Sequence, residues 1–303
     1  MKLILSAFAL FFVFSVVGQT KKIDLPFLKS KQDSLSLIGP EIINATEASK
    51  RFKADSHFTR ILVRALRSSH SFYFPFDSLK SISRIYAPDS SFRIFTWQVS
   101  RDEDVHRRHG AIQMNTTDGT LKLFPLIERS NMITQQEDTI TNNEWWIAAI
   151  YYKMLLNTYN GKKYYTLLGY DEHSIRSTMK RIEVLTFDKE GKPVFGDRIF
   201  DFSLDSISKK NQSRYWIEYK KNANARMQYD EDLKMIIYDH LISETNEPVK
   251  KYTYIPDGDY EGFKWENGRW KHIEKVFTYK LEDGQAPAEV PKTESKLKPV
   301  KKG

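Results

Sequence analysis

The chain has 303 residues, no cysteine, 47 Lys and Arg against 39 Asp and Glu, and a formal charge of +8. Without cysteine, disulfides, thiolate nucleophiles, cysteine-based zinc sites and a lipid-modified N-terminal cysteine are excluded. The basic residues are dispersed, with Lys292, Lys296, Lys298, Lys301 and Lys302 gathered at the C-terminus, and they lack the pattern of a nucleic-acid surface, so no nucleic-acid partner is expected.

The N-terminus predicts export. Lys2 precedes an apolar run over residues 3–17, and Gly18-Gln19 follows, which is the arrangement of a signal peptide over residues 1–18. The run falls short of the ~20 apolar residues that span a bilayer. The expected location is therefore periplasmic or secreted, with no transmembrane segment after cleavage. Export of a chain this long without cysteine points to a bacterial source, because oxidising eukaryotic compartments favour disulfides. One globular domain is expected over residues 19–282, large enough to bury a core without a covalent staple.

Residues 37–68 read as helical. Gly39-Pro40 opens a first helix with Ile42, Ile43, Ala45, Ala48 and Phe52 as its apolar positions. Asp55-Ser56 caps a second, in which Phe58, Ile61, Leu62, Ala65 and Leu66 follow helical spacing. Arg60, Arg64 and Arg67 occupy its solvated face.

From 72 to 280 the pattern is one of strands, rich in aromatic and β-branched residues. Asp118-Gly119 separates 111–117 from 120–126, and Asn160-Gly161 separates 146–158 from 162–169. Glu190-Gly191 lies between 181–187 and 194–200, and Asn267-Gly268 joins 262–266 to 269–277. Both central residues of a type I′ turn need positive φ, so Asn-Gly and Asp-Gly mark hairpins. Tyr215, Ile217 and Tyr219 alternate with polar neighbours, as on a strand with one face in the core. No amphipathic helix after residue 68 offers a parallel crossover. The expected fold is α+β: a helical N-terminal segment packed on a large antiparallel β-meander that curls towards a barrel or sandwich. Residues 283–303, with Pro287, Pro291 and Pro299 among lysines, carry too few apolar side chains to order and are expected to form a disordered tail.

Several runs resemble an uncharacterised family of exported bacterial β-rich proteins with no assigned activity. They are Phe76-Asp77-Ser78-Leu79, Ser91-Phe92-Arg93-Ile94-Phe95-Thr96-Trp97, Tyr164-Tyr165-Thr166-Leu167-Leu168-Gly169-Tyr170-Asp171 and Lys180-Arg181-Ile182-Glu183-Val184-Leu185. Tyr229-Asp230-Glu231, Asp239-His240-Leu241 and Pro256-Asp257-Gly258-Asp259-Tyr260 extend the resemblance over most of 72–265. It implies export and a β-rich fold, and it supplies no catalytic residue.

Local catalytic signatures are missing: no Gly-x-Ser-x-Gly elbow, no His-Glu-x-x-His, no phosphate-binding glycine loop. Among seven histidines only His106 and His109 are close, and Arg107 and Arg108 beside them oppose a metal; an exposed loop is expected there. Asp257, Asp259 and Glu261 imitate the start of a calcium loop, making them metal-ligand candidates. Lys264 and Gly268 occupy positions 8 and 12 of that loop, which removes the bidentate Glu and favours a β-turn. Across Asn267-Gly268, Trp265 and Trp270 should face one another at a non-hydrogen-bonded position. The pair either caps the core or, with Tyr260, forms a stacking platform for a sugar ring or peptide.

These features favour a non-catalytic binding protein, without cofactor, whose partner is a small ligand, a glycan or an envelope protein. A hydrolase of envelope polymers and a structural subunit of an envelope assembly are the alternatives.

Overall fold

The computed structural model describes residues 23–102, 105–207 and 209–277; the expected signal peptide and the Lys/Pro-rich tail lie outside them. The fold is α+β, with two N-terminal helices followed by antiparallel-rich sheets. Among the described residues, no helix is long and apolar enough to cross a membrane.

Helix α1 (Leu25–Asn44) starts earlier than its sequence suggests. Asp24 caps it by accepting the Phe27 N–H at 3.1 Å, and Gly39-Pro40 lies within it. Leu28, Leu35 and Ile42 are buried at spacings of whole turns, so burial of this row overrides the break that Pro40 would impose alone. Helix α2 (Ala48–Leu66) likewise begins before Asp55, which is an interior, buried residue rather than a cap. The Asp55 carboxylate accepts the Trp97 indole N–H at 2.7 Å and lies 3.1 Å from His109 Nε2. Burial would raise its pKa, yet the bonds with His109 and Trp97 hold it below the usual carboxylate value.

The strands follow in chain order. Strands β1 (Ser83–Tyr86), β2 (Phe92–Ser100), β3 (His106–Met114) and β4 (Leu123–Leu126) form the first sheet. The second contains β5 (Thr141–Asn142), β6 (Ile150–Tyr159), β7 (Lys162–Asp171), β8 (Ser177–Phe187) and β9 (Pro193–Phe195). The third begins with β10 (Phe200–Asp201); the chain then returns to the second sheet, where β11 (Tyr215–Lys220) pairs with β8. Strands β12 (Met227–Asp230), β13 (Met235–Ser243), β14 (Tyr254–Glu266) and β15 (Arg269–Ile273) complete the third. All named pairs are antiparallel except β10 with β15.

The layers stack as helices, first sheet, second sheet, third sheet. On β2, Phe95, Trp97 and Val99 face the helices, while Phe92 and Ile94 pack with Tyr151, Leu167 and Leu185 of the second sheet. That sheet's other face, including Leu168, Ile182 and Val184, packs on Phe263 and Trp270 of the third. Middle layers buried on both sides explain the continuous apolar runs along β2, β7 and β8.

Asn160-Gly161 and Asn267-Gly268 both adopt positive φ and close two-residue hairpins. Residues 194–200 are not one strand. Gly196, at φ +90°, turns the chain from β9 in one sheet to β10 in another. His106 and His109 sit on β3 rather than in a loop, because Trp97 stacks on His109 at 5.4 Å.

Candidate functional site

Where β11 meets the β13–β14 hairpin, the second and third sheets part to leave a cleft of about 290 Å³. Tyr215, Trp216 and Glu218 line one wall, Tyr238 and Glu261 the other, and Lys251 and Tyr254 the rim. Tyr215 and Ile217 point into the cleft from β11, and Tyr238 and Glu261 meet them from β13 and β14, whereas Trp216 and Glu218 border it by their backbone and turn their side chains to the other face of the second sheet, onto Arg181 and Ser177.

The floor of the cleft continues into an alternating series of acids and imidazoles. His272, almost fully buried, has Nδ1 2.8 Å from Asp205 Oδ1, while its Nε2 is 3.0 Å from Glu261 Oε2 and 2.7 Å from the Tyr238 hydroxyl. Glu261 Oε1 is then 3.6 Å from His240 Nε2, and His240 Nδ1 is 2.8 Å from Asp257 Oδ2. Ionised carboxylates only accept hydrogen bonds. A neutral His272 would aim one lone pair at a carboxylate oxygen, so the imidazolium satisfies both ends. Burial acts to lower the His272 pKa, but the bonds from Glu261 and Asp205 outweigh it and raise the pKa above the ordinary value. Glu261 shows the converse: burial acts upward, while His272 and Tyr238 hold it down. Tyr238 itself is pushed well up by burial and the neighbouring Tyr215 and Glu261.

A stability difference follows. His272 has a raised folded pKa, so its contribution is complete below about pH 6.5 and is lost as pH rises through the raised value. Melting temperature measured from pH 6 to 9 should fall more steeply in the parent than in His272→Gln. Equal slopes would show that the ring is not charged in the fold.

Of the candidate binding and metal residues picked from the sequence, Glu261 alone lines this cleft. Trp265 and Trp270 do face one another, with ring centroids 5.3 Å apart and planes at 67°. Trp270 is fully buried and its Nε1 donates to Thr166 Oγ1 at 3.0 Å, so it presents no face for stacking. Tyr260 packs edge-on against Phe277 instead of the indoles. Asp257, Asp259 and Glu261 lie in strand β14 rather than a turn, and each has its own side-chain partner: His240, Lys275 and His272. Among the described residues, no three His, Asp or Glu side chains are grouped to hold a metal ion.

Sequence inspection missed Asp205, Tyr215, Tyr238 and His272. The one local sign was a histidine two positions after Trp270, on an inward position of β15. Comparison with protein-family models, curated proteins and solved structures finds no match for this chain.

Proposed function

We propose that this is an exported protein that binds a hydroxyl-rich ligand the size of one sugar ring, without converting it, in the cleft between the second and third sheets. The observation that carries the reading is the double clamp on His272. With carboxylates at both ring nitrogens, it has no lone pair to act as a general base. Glu261, whose pKa is lowered, is tuned against the proton-donor role that a glycosidase acid requires. What remains is a recognition surface. Glu261 accepts hydroxyl hydrogen bonds, Lys251 donates, and Tyr254 supplies a ring face. Export rests on the basic, apolar N-terminus, and it supports an envelope glycan as the source of the ligand.

Isothermal titration with a panel of envelope monosaccharides should show a saturable heat with at least one of them. Tyr254→Ala should abolish that response while stability stays within about 1 kcal/mol of the parent. Failure of every sugar to saturate the signal sinks the ligand class. Release of reducing sugar from an envelope polymer would instead establish a hydrolase.

A further inference from the structure

A second concavity lies where the helices meet the sheets, away from the cleft. It is made of two cavities of about 520 and 230 Å³, both lined by Ile43 and Ser100, which therefore adjoin. The smaller has apolar walls built from Ile42, Trp97, Ile150 and Tyr170. The larger carries Arg51, His106 and Lys221. Asp102 and Glu172 line it too, so the groove is apolar at one end and charged and polar at the other.

Its polar groups are incompletely satisfied. Gln98 Oε1, in the smaller cavity, and His106 Nε2, in the larger, are buried with no hydrogen-bond partner. The other ring nitrogen of His106 is 2.8 Å from Ser100 Oγ. A buried orphan of this kind costs about 1–3 kcal/mol, and two along one groove indicate an occupant that completes them. Arg51 adds a guanidinium held only by carbonyls among the described residues. It donates to the carbonyls of Ser100 at 2.7 Å, Arg101 at 2.8 Å, Ala45 at 2.7 Å and Thr46 at 2.9 Å. Among the described residues, no carboxylate pairs with it. Of its five N–H donors, one is left over. The acids nearby are already engaged: Glu172 by Lys221 and Tyr170, and Asp102 by Arg101.

We propose that this groove binds the carboxyl-terminal end of an apolar peptide. The terminal carboxylate sits at the Arg51 and His106 end, where it accepts from His106 Nε2–H and the spare guanidinium N–H. A backbone N–H of the peptide donates to Gln98 Oε1, and its aliphatic side chains pack on Ile42, Ile150 and Trp97. The orphan acceptor on Gln98 decides between the two sources of an apolar carboxylate, because a fatty acid has no N–H to offer it.

Isothermal titration with acetyl-Ala-Val-Leu bearing a free carboxylate tests this, beside its carboxamide and decanoate. The free acid should bind, and the carboxamide should bind about tenfold more weakly or worse, as expected for loss of a charge-assisted bond. Gln98→Met removes the orphan oxygen, so it should melt no lower than the parent and yet bind the peptide several-fold more weakly. Tyr254→Ala, in the other site, should leave peptide affinity unchanged. Equal affinity for acid and amide, unchanged affinity in Gln98→Met, or no heat from the peptide would each overturn the proposal. Binding of decanoate with the peptide inert would overturn it in favour of a lipid carboxylate.

Discussion

Replacing Trp270 by alanine is expected to lower stability by about 3–5 kcal/mol, the range for truncating a buried aromatic side chain. The indole is fully buried between the second and third sheets. Its loss opens a cavity and leaves the Thr166 hydroxyl, also fully buried, without the donor that now reaches it. Trp265, only half-buried and packed on Tyr164 at 5.4 Å, should cost less, about 1–2 kcal/mol. Urea unfolding of the two variants separates them. Equal losses would show that the pair is not divided between core and surface as the burial indicates.

The second large effect lies at Glu183. This buried carboxylate accepts from Arg214 Nε at 2.8 Å, and the Arg214 guanidinium also bonds the carbonyls of Gln136 and Thr139. Arg214 thereby ties the segment before β5 to the second sheet. Glu183→Ala leaves a buried guanidinium without its counter-ion, and the expected cost is about 3–5 kcal/mol. Adding Arg214→Met to that variant removes the stranded charge and should restore part of the stability, because contacting residues couple by about 0.5–3 kcal/mol. A double variant less stable than Glu183→Ala by the full cost of Arg214→Met alone would argue against coupling between the two.

What the sequence revealed was local chemistry. Asn160-Gly161 and Asn267-Gly268 need only two adjacent residues to specify a turn, and from the second the facing of Trp265 and Trp270 follows by counting. The helix starts were harder, because Pro40 and Asp55 are break and cap signals that distant contacts override. Asp55 is held by Trp97 and His109, residues on strands far along the chain. Charged residues such as Arg93, Arg181, Glu183 and Arg214 are buried within or beside strands, so the polar positions of the pattern do not all mean solvent. The cleft is the extreme case. Its residues come from β11, β13, β14 and the segments between them, and only the meeting of two sheets makes them neighbours.

The parallel pairing of β10 with β15 bears on the order in which the molecule folds. Phe200 lies beside Trp270, and the Trp270 N–H donates to the Ile199 carbonyl at 2.8 Å. Strands β11 to β14 all intervene between these partners in the chain. Closing a loop of that length is entropically unfavourable and slow, and it must await the synthesis of residue 270. Until then the two residues of β10 have no strand to pair with on that side. The third sheet is therefore sealed last, from the C-terminal hairpin inward. A nascent chain remains unfinished, and accessible to chaperones, until residue 270 is in place.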